Sequence, residues 1–290
     1  METSLQGQTW VVTGATAGLG QATAEGLARL GATVVGLNRD RQKGEAARQA
    51  LVQASGRDDH AAYVADLADQ AAIRRAAAEI GARHPRLHGL INNAGLSLGQ
   101  RQVTADGQEM TWAVNFLAPF LLTHLLLPAL RAGATPDTPS QIINLATWKQ
   151  PPIEFDDVRR ERRFNAMAVY GESKTALVMF TQDLARRLTD VTVNAVNPGL
   201  VRTNIGTGLT GINWLFIKVI APLTMMVPPE KGAGYVLRLA TDPALKGVTG
   251  QFFYEAQPKP PFEAEPTPAD RERLWQMAEA ATGLAGVTAK

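Results

Sequence analysis

The chain contains no cysteine. That excludes a disulfide framework and a thiolate-held metal site, and it fits a reducing, cytoplasmic setting. A surplus of charge of one sign is also missing: 290 residues carry a formal net charge of +2. Such a balance gives no basic face and no case for nucleic acid. Histidine is scarce. His84 and His88 have helical spacing, but Pro85 stands between them, so no metal-ligand pattern emerges. Long uninterrupted apolar runs are lacking as well. The two most apolar stretches are 116–130, which holds His124 and two prolines, and 212–227, which holds Lys218 and Pro222. Both read as too short and too interrupted to span a bilayer. The N-terminus carries Glu2 and runs almost directly into a strand-like segment, so no signal peptide is expected.

What is present is a regular alternation. With 45% hydrophobic residues, the length allows one large α/β domain or two small ones. No internal repeat or boundary divides it, so a single domain over 1–290 is expected. Strand-like segments at 9–13, 33–36, 61–65, 87–92, 141–146, 191–196 and 250–254 alternate with helical patterns at 21–30, 41–54, 70–83, 108–130, 169–188 and 230–240. A further helical pattern follows at 268–281, within a C-terminal extension over 256–290. Alternation of this kind predicts a Rossmann-type, doubly wound parallel sheet of about seven strands with helices on both faces. Ligands of such sheets lie beyond the carboxyl ends of the strands.

Chemistry-bearing residues gather at those ends. The first strand enters Gly14-Ala-Thr16-Ala17-Gly18-Leu19-Gly20 and then a helix. Strand, glycine turn and helix N-terminus make an anion site, because free N–H groups and the helix dipole face a phosphate. A plain glycine turn is the alternative. At the end of the second strand stand Asn38 and Arg39, where an acid would grip a free ribose 2′-hydroxyl. A guanidinium there suits a 2′-phosphate, which favours NADP over NAD. The alternative is a solvated Arg39, and Asp40 lies nearby. Asp66 and Leu67 end the third strand, and Asn93, Ala94 and Gly95 follow the fourth. Asn115 lies inside an apolar helix and reads either as a satisfied core amide or as a catalytic group. The fifth strand delivers Thr147, whose hydroxyl could hold a substrate oxygen.

Tyr170 and Lys174 are four apart in a helical pattern and so share a face. A cation about 4 Å from the phenol, at an effective dielectric near 20, contributes about 4 kcal/mol, or roughly three pKa units. The pair therefore predicts an acidified phenol fit for proton transfer. The arginine-rich run 159–163 reads as a solvated face, with substrate binding as the alternative. The apolar segment near 204–229 reads as a lid over a greasy pocket or as a loop packed on the domain.

Together these pieces resemble the short-chain dehydrogenase/reductase family. The resemblance rests on Thr13-Gly14-x-x-x-Gly18-x-Gly20, Asn92-Asn93-Ala94-Gly95, Asn115, Tyr170-x-x-x-Lys174 and Pro198-Gly199-x-Val201-x-Thr203, in the family's order. Within the family the chain is similar to the retinol dehydrogenase and WW-domain oxidoreductase branch, through residues 39–47, 114–123, 180–188 and 274–278. The resemblance implies that Tyr170 is the general acid for carbonyl reduction and that Lys174 lowers its pKa and holds the nicotinamide ribose. It implies a water kept by Asn115, an adenine bordered by Asp66 and Leu67, a cofactor flanked by Asn93 to Gly95 and by Pro198 and Gly199, and a carboxamide oriented by Val201 and Thr203. It also implies a homodimer or homotetramer paired through the helices of Asn115 and Tyr170.

One position departs from the pattern. The catalytic hydroxyl is usually serine, and here Thr147 stands in its place. Threonine keeps the hydroxyl but restricts its rotamer and adds a methyl. The leading expectation is thus an NADP(H)-dependent oxidoreductase interconverting a carbonyl and an alcohol on a bulky hydrophobic molecule. Two rivals stand beside it: a cofactor-assisted isomerase, lyase or cyclase without net redox, and a nucleotide-sensing interaction protein.

Overall fold

A computed structural model describes residues 3–148, 150–201 and 226–284. Its strands are β1 (Thr9–Thr13), β2 (Thr33–Asn38), β3 (Ala61–Val64), β4 (Gly89–Asn92), β5 (Ser140–Leu145), β6 (Val191–Asn197), β7 (Phe252–Tyr254) and β8 (Gln257–Pro258). They form one sheet in the order β3-β2-β1-β4-β5-β6-β7-β8. All neighbours are parallel except β7 and β8. The eighth strand, which the sequence pattern did not show, is a two-residue return after β7. It is too short to carry an alternation of its own.

The helices are α1 (Gly18–Arg29), α2 (Arg41–Ser55), α3 (Gln70–Arg83), α4 (Met110–Gly133), α5 (Ala166–Arg187), α6 (Pro229–Thr241) and α7 (Pro268–Thr282). Their ends follow from local chemistry. Asp40 and Asp69 cap α2 and α3, accepting from Lys43 N and Ala72 N. Thr267 and Asp270 form a capping box at α7, and Gly283 closes that helix in the left-handed region. Helices α1 and α6 cover one face of the sheet with Leu27 and Val236; α3, α4, α5 and α7 cover the other with Ile73, Phe120, Phe180 and Trp275. The sheet is doubly wound, and its order reverses between β1 and β4, the switch point beyond which sheets of this kind bind their ligands.

Helix α4 corrects an expectation. The apolar stretch belongs to a continuous helix of 24 residues, long and apolar enough to cross a membrane. Yet 89% of its most apolar window is buried within the protein. It is a core helix of the fold, apolar all round because sheet, α3, α5 and α7 surround it. A π turn over Ala113–Leu117 interrupts it, with Ala118 N donating to Ala113 O.

Deep in the sheet a polar ladder ties the layers together. Asn92 Nδ2 donates to Asn144 Oδ1 at 2.8 Å, and Asn144 Nδ2 donates to Thr181 Oγ1 at 2.8 Å. Buried amides need such partners. Here they fix β4, β5 and α5 in register below the site.

Candidate active site

The first half of the site is made of backbone. After β1, Gly14 turns the chain at φ +69. A Cβ on Gly20 would come within 2.2 Å of Gly14 O and 2.3 Å of Asn93 Nδ2. Only glycine lets α1 begin this close to the exit of β4. Asn93 Nδ2 donates to Thr13 O at 2.8 Å, and Thr13 Oγ1 accepts from Asn93 N and Ala94 N, each at 3.0 Å. The two motifs are thus fastened to each other through Thr13. The cap of α1 is Ala17, which has no side-chain acceptor to offer the first-turn N–H groups. Gly14, Thr16, Ala17, Gly18, Leu19 and Gly20 therefore present a cradle that fits a phosphate. Helix α1 starts at Gly18, earlier than the pattern from Gln21 indicated, because the turn itself supplies the first helical residues.

The far end of the sheet reaches the same place. A Cβ on Gly232 would lie 2.6 Å from Val201 Cγ2, 3.2 Å from Leu19 Cδ1 and 3.6 Å from Pro198 Cβ. So the segment after β6 meets the start of α1. Gly199 turns there at φ +83, and its N–H donates to Asn197 Oδ1 at 3.1 Å. Val227 N donates to Leu200 O at 2.9 Å, which closes the two edges of the described segments together. Thr203 and most of the expected lid lie outside the described residues.

At the end of β2, Asp40 is engaged as the cap of α2. That hydrogen bond from Lys43 holds its carboxyl below the usual range. Arg39 is exposed at the sheet edge, while Asn38 is buried. Gly36 and Gly44 make room for the Asn38 amide, since a Cβ on either would lie 3.0 or 3.5 Å from its Nδ2. Asp66 is exposed at the end of β3, with its Oδ1 accepting from Ala68 N at 2.9 Å, and Leu67 is half-buried beside it.

The second half of the site is made of side chains. Asn165 caps α5 by accepting from Met167 N and Ala168 N. The helix thus starts before Val169 and sets Tyr170 in its second turn. Lys174 is buried, and its Nζ donates to Leu145 O at 2.7 Å, at the end of β5. A Cβ on Gly95 would lie 3.2 Å from Asn115 Oδ1 and 3.4 Å from Lys174 Nζ. Gly95, Asn115 and Lys174 therefore converge. The Asn115 side chain is fully used: Oδ1 accepts from Leu96 N, and Nδ2 donates to Leu96 O and to Ser173 Oγ. Ser173 Oγ in turn donates to Tyr170 O at 2.7 Å. The backbone carbonyl of Asn115 is a different matter. Pro119, four residues on, has no N–H to offer it, so it lacks its ordinary helical donor.

Burial pushes the Tyr170 phenol up to about 12 and pulls the Lys174 ammonium down to about 8. The expectation that Lys174 acidifies Tyr170 is corrected on this point. Both groups are displaced toward their neutral forms by loss of water. A phenol so placed holds its proton firmly, and a lysine so placed titrates near 8, still mostly charged at pH 7.

Thr147 follows β5 and is half-buried, with its carbonyl accepting from Gln150 Nε2 at 2.5 Å. Pro151 presses on α5, where a Cβ on Gly171 would lie 2.8 Å from Pro151 Cγ, and Thr175 Oγ1 donates to Pro151 O at 2.8 Å. The charge run is not wholly a solvated face: Arg160 is 5% exposed and pairs with Glu154 and with Glu172 of α5. Hydropathy marked the run as surface because four of its five residues are arginines, and pairing across a loop leaves no periodic signal. Ser173, Glu172 and Thr13 were visible inside the motifs but gave no sign of their partners. Among the described residues no cluster of histidine and acidic side chains could hold a metal.

A parallel sheet with an anion cradle at its reversal, and a tyrosine and lysine one turn apart beside it, define a dinucleotide-dependent dehydrogenase. The chain belongs to the short-chain dehydrogenase/reductase family, whose short chain dehydrogenase model matches residues 8–211. Within that family it is retinol dehydrogenase-like. It is 36% identical to human retinol dehydrogenase 14, over 97% of this chain and 88% of that protein. It is also 36% identical to mouse polyprenol dehydrogenase, over 97% of this chain and 85% of that protein. Among solved structures, RhlG of Pseudomonas aeruginosa in complex with NADP is 28% identical, with a TM-score of 0.68 over 87% of this chain and 95% of that one. The protein is an enzyme of the CH–OH/C=O oxidoreductase class that acts on a small molecule with a nicotinamide cofactor.

Proposed function

We propose that the enzyme uses NADP(H) and interconverts a carbonyl and an alcohol on a bulky, apolar small molecule. The observation that carries the catalytic part is the convergence of Lys174 and Asn115 on Gly95, one helical turn from Tyr170 and beside the end of β5. The cofactor, when bound, supplies or accepts the hydride. The chain's own residues do the rest. Gly14 to Gly20 hold the pyrophosphate, and Asn93 to Gly95, Pro198, Gly199, Val201 and Thr203 line the cofactor. Tyr170 gives its proton to the carbonyl oxygen as that oxygen becomes an alkoxide. The conjugate alcohol has a pKa near that of water, about 16, so a phenol at about 12 still donates downhill. Thr147 shares that oxygen through its hydroxyl. Lys174 holds the nicotinamide ribose, and the Asn115 carbonyl, rather than its amide, holds the water that returns a proton to the site.

Arg39 favours NADP, because it is exposed at the sheet edge while the neighbouring acid, Asp40, is already committed to α2. The solved relative with NADP supports the same choice. An apolar substrate is supported by exposed Trp148, Met167 and Leu200 on segments that border the site, and by relatives named for retinol and polyprenol. A dimer or tetramer built through α4 and α5 would have to include or displace α7, whose Trp275 covers Phe120 and Phe180.

The test is NADPH consumption with a panel of aldehydes of rising chain length. Oxidation of NADPH that grows with apolar bulk supports the reading. Product formation without NADPH loss would move the enzyme to isomerase, lyase or cyclase chemistry.

A further inference from the structure

The loop between Thr147 and the start of α5 is fastened to the catalytic helix from one side. Pro151 O accepts from Thr175 Oγ1 at 2.8 Å, and Pro151 packs on Gly171. Glu154 N donates to Glu172 Oε2 at 3.1 Å. Arg160 Nη2 donates to the same oxygen, while its Nη1 reaches Glu154 Oε2. Arg160 adopts φ +53, a conformation that residues with a Cβ seldom take. That turn is held by Asp157, whose carboxylate accepts from Glu161 N at 2.9 Å and from Arg162 N and Arg163 N at longer range. Burial alone would push the Asp157 carboxyl up, but these N–H groups and the charge of Arg160 hold it below the usual range. Glu172 and Arg160 are both more than nine-tenths buried.

A buried ion pair is poor value as a stability device, because removing two charges from water offsets most of their attraction. Geometry is what it does supply. Glu172 lies midway between Tyr170 and Lys174 in sequence, and on a helix it points away from the face they share. The pair therefore grips the back of the catalytic turn, while on its front Lys174 Nζ holds Leu145 O, two residues before Thr147 at the other end of the loop.

We propose that Arg160 and Glu172 are positioning residues that set Thr147 against Tyr170. The proposal rests on the reading of Tyr170 as proton donor. A loop released from Glu172 leaves the cofactor cradle intact, since that cradle is built from β1, α1 and β4, but lets the hydroxyl of Thr147 drift from the reacting oxygen.

The experiment uses the full chain with Glu172→Gln, which keeps shape and removes charge, and with Arg160→Met and Arg160→Lys. The expected result for Glu172→Gln and Arg160→Met is a kcat about tenfold or more below wild type, with KM and NADPH Kd within about threefold. Arg160→Lys should recover most of the lost kcat. Wild-type kcat in Glu172→Gln would overturn the proposal, and so would a parallel loss of NADPH binding, which would mark the pair as holding the fold as a whole. Hydrogen exchange of the loop supplies a second readout that needs no turnover. Amides between residues 150 and 163 should exchange faster in Glu172→Gln while those of the β1–α1 turn do not. Equal protection in both proteins would refute the grip itself. A wild type inactive on every aldehyde would instead overturn the reading of carbonyl reduction, with the exchange result still deciding the grip.

Discussion

The two halves of the site are held in place by different means. The cofactor half, β1 to α1 with the exit of β4, is fixed by backbone: glycine turns, an uncapped helix start, and the Thr13–Asn93 fastening. The substrate half, from Thr147 to Lys174, is fixed by buried side chains: an amide bridge at Asn115, a lysine on a carbonyl, and an ion pair at Arg160. Backbone recognition tolerates little, since a Cβ on Gly20 would meet Gly14 O and Asn93 Nδ2. Side-chain fastening leaves room to change what is recognised.

That contrast predicts a hierarchy of effects. The largest effect on cofactor binding should come from Gly20→Ala, because its methyl has no space beside Gly14 O and Asn93 Nδ2. NADPH affinity, followed by fluorescence titration, should fall about 100-fold or more, as several kcal/mol of overpacking must be relieved at the cradle. A smaller effect is expected at the rim of the same half. Arg39→Asp should weaken NADPH about 10- to 100-fold, the range of a charge-assisted hydrogen bond, and leave NADH within about threefold. Equal losses for both cofactors would remove Arg39 from 2′-phosphate recognition.

The two halves were also unequally legible in the sequence. Gly14, Gly18 and Gly20 could be read because a backbone requirement selects one residue type at fixed spacing. Tyr170 and Lys174 could be read because helical periodicity places them together. Arg160 could not, since its partner Glu172 stands across an irregular loop and hydropathy alone assigns an arginine run to solvent. The direction of the Tyr170 shift was hidden for a related reason: a sequence shows the neighbouring charge but not the water that folding removes. The fold followed from the βα alternation, save for the short β8 and for the exact ends of α4, which runs over Met110–Gly133 against the pattern at 108–130.

The smallest effect concerns pH. Lys174 titrates near 8, lowered by burial, so its ammonium is present below that pH and lost above it. If the charged form holds the ribose, kcat/KM for reduction should be level below about pH 8 and fall as pH rises through it, about tenfold per unit beyond. Tyr170, held protonated to about 12, should add no second fall in that range. Lys174→Arg should remove the fall, since a guanidinium stays charged throughout. A profile that is level to high pH in the wild type would separate the lysine charge from the rate.

The decisive measurement is single-turnover hydride transfer by Tyr170→Phe, with NADPH affinity determined on the same sample. The account predicts unchanged affinity and a rate reduced about 100- to 10,000-fold, the contribution of a positioned proton donor. A Tyr170→Phe protein that binds NADPH and reduces an apolar aldehyde at the wild-type rate would contradict it.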